Sequence, residues 1–168
     1  MLQLTNINEL IIGDASNYSG NEEIERHIYM FNANDKDNLN TCFTAIIFAE
    51  NPEEITIYSK NEKDFIKIKL NARTNINSFY DSDNKLLGYF NENDLIILNS
   101  NKEKLFLFKD MSFIDNEEVP FAIVNDEINN EITQKYFTLP HMTIEFIDPE
   151  ENNLYRNLII ASLITLTI

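Results

Sequence analysis

The chain closes on "NLYRNLIIASLITLTI", whose last eleven positions, Leu158 to Ile168, are apolar apart from Ser162, Thr165 and Thr167. Whatever covers this run decides what the rest of the chain must be. Just upstream, "DPEEN" has the chemistry of a helix start. Asp148 can accept from free backbone N–H groups as N-cap, Pro149 suits the first helical position, and Glu150 and Glu151 set negative charge against the positive end of the helix dipole. The pattern predicts a helix over about Pro149 to Ile168, roughly 30 Å long at about 1.5 Å per residue. The β-branched residues of "LITLTI" favour a strand, which stays open as the alternative. In the helical reading the three hydroxyl residues project at scattered angles, so the final turns are apolar nearly all round. Each hydroxyl can bond back to a carbonyl one turn earlier and needs no other polar partner.

Lipid and protein interior are the two environments that cover a cylinder on every side. Spanning a bilayer takes about 20 predominantly apolar residues, and this run of eleven is preceded by the polar "NNLYRN". The tail is therefore expected inside the protein, wrapped by whatever the first part of the chain builds.

From about Ile24 to Phe146 that first part is a series of short apolar and aromatic runs separated by Asn, Asp, Glu and Lys clusters. They include "RHIYMF", "FTAIIFA", "EITIYS", "DFIKIKL", "INSFYD", "KLLGYF", "DLIILN", "KLFLF", "PFAIVN" and "HMTIEFI". In "FIKIKL" the lysines Lys67 and Lys69 alternate with Ile66, Ile68 and Leu70, the pattern of a half-exposed antiparallel strand. Runs recur every eight to twelve residues or so with no helical period between them, which favours a closed barrel or sandwich over an α/β sheet. With only three glycines, Gly13, Gly20 and Gly88, the turns are expected to use asparagine, the next most tolerant residue for left-handed backbone. "DSDN" at Asp81 to Asn84 and "NSNKEK" at Asn99 to Lys104 read as hairpin tips, whereas Asp14 to Glu23 and Asn32 to Asn40 read as loops. The hairpins resemble one another only loosely. No segment has the length or composition of a linker, so residues 1–168 are expected to form one domain. The fold expected is all-β with one helix, a closed antiparallel β-barrel around a buried hydrophobic C-terminal helix.

A many-stranded barrel closed on such a helix is the architecture of the tubby C-terminal-like superfamily, which includes LURP-one-related proteins and phospholipid scramblases. The chain resembles that group in its terminal "LYRNLIIASLITLTI" and in "FYDSDNKLLGYF", which is similar to the family's aliphatic strand, Asp-Asn turn and return strand. The resemblance implies a fold more than an activity. Tubby domains hold phosphoinositide head groups with basic side chains. Here Lys67 and Lys69 share one strand face and Lys102 and Lys104 lie in a hairpin tip, interleaved with Glu62, Asp64, Glu92, Asp94 and Glu103, a departure from a phosphate pocket. Scramblases carry an acidic calcium-binding segment before the terminal helix, and "IDPEEN" is acidic in a comparable place, although a helix cap accounts for it with fewer assumptions.

Catalytic and metal chemistry finds little to stand on. His27 in "ERHIYMF" and His141 in "LPHMTIEF" each stand alone among strand residues, with no partner visible in sequence. Cys42 opens an apolar strand, the setting of an inert packing cysteine. Asp81 and Asp83 suggest a calcium loop, but Leu86 stands where an EF-hand needs glycine, even though Glu92 fills the twelfth place. No catalytic, cofactor-binding or metal residue is assigned, and the chain is not expected to be an enzyme.

Thirteen Lys and Arg against twenty-eight Asp and Glu give a formal charge of -15, which repels nucleic acid and anionic membrane surfaces. A basic protein is the partner that charge favours. With one cysteine and no basic n-region or long apolar h-region at the start, a cytoplasmic monomer or weak oligomer is expected. Three functional classes stay open: a non-catalytic binding or scaffold module, a lipid or small-ligand carrier, and an acidic inhibitor or immunity-type protein that masks a basic partner.

Overall fold

The computed structural model describes residues 1–4, 7–14, 25–32, 41–48, 50–60, 63–126, 142–147 and 152–167. Twelve strands run through them: β1 (Glu9–Asp14), β2 (Glu25–Asn32), β3 (Thr41–Phe48), β4 (Glu54–Ser59), β5 (Phe65–Lys69), β6 (Ile76–Asp81), β7 (Leu86–Asn91), β8 (Ile96–Asn99), β9 (Lys104–Lys109), β10 (Ser112–Ile114), β11 (Pro120–Asn125) and β12 (Met142–Phe146). One helix follows, α1 (Asn153–Leu166). Each strand pairs antiparallel with its neighbour in sequence, and β1 pairs with β12 from Glu9↔Glu145 to Ile12↔Met142, which closes the barrel. Closure leaves no unpaired sheet edge.

Every apolar run expected to be a strand is one. Two strands were not expected. β1 lies before the region assigned to strands, and without "ELIIGD" the barrel would stay open between β2 and β12. β10 is three residues long, too short to show a period. The loops expected over Asp14 to Glu23 and Asn32 to Asn40 fall outside the described residues, apart from Asp14 and Asn32, which end β1 and β2.

Alternation decides the two faces of the wall. In β5, Ile66 and Ile68 are fully buried while Lys69 is exposed and Lys67 half-buried. A twelve-strand barrel is wider than its own inward side chains can fill, and α1 occupies the interior. Ten consecutive helix residues, Arg156 to Thr165, are buried on every face. The hydroxyls behave as the tail required: Ser162 donates to the Leu158 carbonyl at 2.8 Å, Thr165 to that of Ser162 at 2.7 Å and Thr167 to that of Ile164 at 2.8 Å. No helix among the described residues is long and apolar enough to cross a membrane.

The helix starts later than its sequence suggested. Asn152 is the N-cap, its Oδ1 accepting from Leu154 N at 3.1 Å, and no acidic residue lies in the first turn. Asp148 to Glu151 lie outside the described residues, as does Ile168. The first two turns instead use polar side chains to hold the N-terminal segment. Asn157 Oδ1 accepts from Leu2 N at 3.0 Å and its Nδ2 donates to Leu2 O at 3.0 Å, and Asn153 Oδ1 accepts from Leu4 N at 2.9 Å. Two asparagines four residues apart thus stand in for a neighbouring strand, and Leu2 and Leu4 are fully buried against the core.

Turns repeat more closely than their sequences do. In the β6–β7, β8–β9 and β10–β11 hairpins an Asx residue opens the tip and its Oδ1 accepts from the backbone N–H groups two and four positions on: Asp81 from Asp83 and Lys85, Asn99 from Asn101 and Glu103, Asp115 from Glu117 and Val119. The fourth residue of each tip is left-handed, at φ 58° for Asn84, 65° for Lys102 and 62° for Glu118. Asparagine therefore takes only part of the left-handed backbone, and its commoner service is to accept with its side chain.

A candidate ligand groove on the outer wall

The outer faces of β2, β3 and β4 form a groove of about 470 Å³. β2 contributes His27 and Tyr29, β3 contributes Thr44, Ile46 and Phe48, and β4 contributes Tyr58 and Ser59, followed by Lys60. Its shape follows from register. Thr44 lies directly between Tyr29 and Tyr58 across the ladder, so a short side chain is flanked by two long aromatic ones on the same face. Such a row produces a trough on a wall that would otherwise be convex.

Both aromatic walls are braced. Tyr29 Oη lies 3.3 Å from His27 Nδ1, and the Tyr58 ring sits against Phe65, its register partner on β5, with centroids 5.9 Å apart. Phe48, 39% exposed, keeps an apolar surface open at one end, and the exposed Lys60 sets an ammonium at the other. Among the described residues that line the groove, none carries a carboxylate.

The residues singled out from sequence are placed as follows. His27 is in the groove and has Tyr29 as a partner, which corrects the reading of it as unaccompanied. His141 and Glu62 lie outside the described residues. Cys42 is half-buried on β3, four positions from Ile46, the residue opposite His27. At about 3.4 Å per strand residue that is roughly 14 Å, too far for a nucleophile and base to share a proton. Asp81 and Asp83 form the β6–β7 tip, with Asp81 Oδ1 engaged by two backbone N–H groups, and Leu86 opens the next strand. Glu92 Oε1 accepts from Asn77 Nδ2 at 2.6 Å, a side-chain link on the wall. No group of three or more metal-ligating side chains comes together among the described residues.

Three of the four lysines singled out have a neighbour of their own. Lys67 pairs with Glu54 at 3.2 Å, Lys69 lies 5.2 Å from the Tyr80 ring centroid, and Lys102 lies 5.8 Å from that of Tyr89. Lys104 is exposed at the start of β9. Asp94 and Glu103 accept from Asn91 and Asn99 side chains at 2.7 Å, and the backbone of Asp64 pairs with Ser59. Sequence reasoning missed Tyr29, Thr44, Tyr58 and Lys60 as a set. The alternation of each strand shows that they point outward, but only the ladder register shows that they meet.

Comparison with family models, with curated proteins and with solved structures finds no match to this chain.

Proposed function

We propose that the chain is a non-catalytic binding or scaffold module of the tubby/LURP-one-like type, working in the cytoplasm as a monomer or weak oligomer. One observation carries the reading. The helix fills the barrel, with Arg156 to Thr165 buried on all sides, so the wall is the surface available for recognition. The acidic balance favours a basic protein as macromolecular partner over nucleic acid or anionic lipid. Described acidic side chains are spread over the wall and tips, from Glu54 on β4 through Asp94, Glu103 and Glu117 to Glu145 on β12. That scatter counts against the inhibitor reading, which calls for one acidic face.

A second reading, a small-ligand protein, is favoured by the braced groove on β2–β4, and it places the ligand on the wall instead of beside the helix. The test of the first reading is a pull-down from the native host at low and moderate salt, run beside flotation with phosphoinositide liposomes. Recovery of a specific basic protein, lost as ionic strength rises, supports the module. Tight, salt-sensitive flotation would transfer the role to anionic lipid, and retention in neither assay would remove the reading.

A further inference from the structure

We propose that the β2–β4 groove binds a small planar aromatic carboxylate, its ring over Thr44 between Tyr29 and Tyr58 and its carboxylate on the Lys60 ammonium. The proposal rests on the small-ligand reading of this groove.

Neighbouring strands lie about 4.8 Å apart, so the backbones of Tyr29 and Tyr58, one strand to either side of Thr44, stand roughly 10 Å apart. Two aromatic side chains across such a gap leave room for one flat ring at ordinary aromatic contact distances, and Thr44 is short enough to let it settle. The His27 contact to Tyr29 and the Phe65 contact to Tyr58 limit the rotamers of both walls before any ligand arrives. Walls that are already ordered lower the entropic cost of binding. A volume of about 470 Å³ is in the range of small-molecule pockets and has room for two fused rings.

Charge selects the acid. Lys60 stands at one end, and no described lining residue carries a carboxylate. The field of a chain at -15 opposes anions at long range, so one carboxylate held by one ammonium is accommodated where a polyphosphate is not. A neutral ring would keep the stacking and lose the ion contact.

The test uses the full chain with 2-naphthoate and its neutral analogue 2-naphthamide, followed by ligand-observed saturation-transfer NMR and calorimetry. Naphthoate is expected to bind about tenfold or more tighter than the amide, the worth of one charge-assisted hydrogen bond. Lys60→Gln, a change at an exposed position, is expected to remove that advantage and leave amide binding unchanged. Thr44→Phe, which fills the space between the tyrosines, is expected to abolish binding of both probes with the circular dichroism spectrum preserved. Equal binding of acid and amide, insensitivity to Lys60→Gln, or binding of neither probe by the folded protein would overturn the proposal. None of these outcomes bears on the host pull-down, so the binding-module reading stands or falls separately.

Discussion

Arg156, fully buried on α1, donates from Nη1 to the main-chain carbonyl of Leu4 at 2.7 Å. The same nitrogen reaches the Ile7 carbonyl at 2.8 Å, and the guanidinium carbon lies 4.7 Å from the Phe146 ring centroid. One side chain thus ties the helix to the segment leading into β1 and to the end of β12, the two strands whose pairing closes the barrel. Replacing it by Met would leave the Ile7 carbonyl without this donor and the Leu4 carbonyl with its Ile7 N–H bond at 3.2 Å, at a cost of about 1–3 kcal/mol. Arg156→Lys should recover only part, because an ammonium lacks the planar fork and the ring stacking. Urea unfolding of the three proteins is the measurement, and equal midpoints would contradict the role.

Removing residues 1–4 should destabilise the barrel although no strand is touched. Leu2 and Leu4 are fully buried, worth about 1.5–3 kcal/mol each, and Asn153 and Asn157 would lose the backbone partners they hold in the intact chain. A fall in the thermal midpoint with secondary structure retained is the expected result, and an unchanged midpoint would show that the segment is dispensable.

Deleting Leu158 to Ile168 should abolish folding. Six of these residues are buried aliphatic or alanine side chains, and loss of large ones at about 2–5 kcal/mol each exceeds the usual 5–15 kcal/mol stability of a domain. A soluble truncation with dispersed amide NMR signals would show that the barrel closes without its helix.

Gly88→Ala tests how closely α1 approaches the wall. A Cβ on Gly88 would collide with the Leu98 backbone carbonyl on β8 and come within 3.1 Å of Leu158 Cδ2 on the helix. The leucine can shift but the ladder carbonyl cannot, so a destabilisation of about 1–3 kcal/mol is expected, as for other overpacked sites. Chemical denaturation reads it directly.

A stabilising change is expected at the β9–β10 turn. Lys109 pairs with Ser112, so Asp110 and Met111 form a two-residue loop, with φ 50° and 59°. That is the type I′ geometry for which Asp-Gly is among the preferred pairs. Met111→Gly removes the left-handed strain of an exposed methionine and should raise stability by about 0.5–1 kcal/mol. A lower thermal midpoint would mean that Met111 packing outweighs its backbone strain.

The same turn explains one thing that was hidden in the sequence. "DM" is not a hairpin signature, and β10 after it is only three residues long, so neither local composition nor period could reveal that hairpin. The tips at Asp81 and Asn99 were legible as hairpins, but the feature they share with Asp115 was not read, although it was written in the chain as an Asp or Asn five places before the return strand. It was obscured because the intervening residues differ and the left-handed position is Asn in one tip, Lys in another and Glu in the third.

What the sequence by itself determined was the inside and outside of the wall and the fate of its tail. Period-two alternation in stretches such as "FIKIK" sets which side chains turn from water, and a tail with no wet stripe can be satisfied only by cover on every side. Both follow from local patterns, and both were legible without coordinates. Tertiary structure decided everything that depends on which distant residues become neighbours. β1 finds β12 across more than a hundred residues, Asn153 and Asn157 find Leu2 and Leu4, and Tyr29, Thr44 and Tyr58 align in one row. A one-residue slip in register would preserve each strand's own alternation and destroy all three. Contacts between distant residues are set by the closure of the whole barrel, and no local stretch of this chain encodes them.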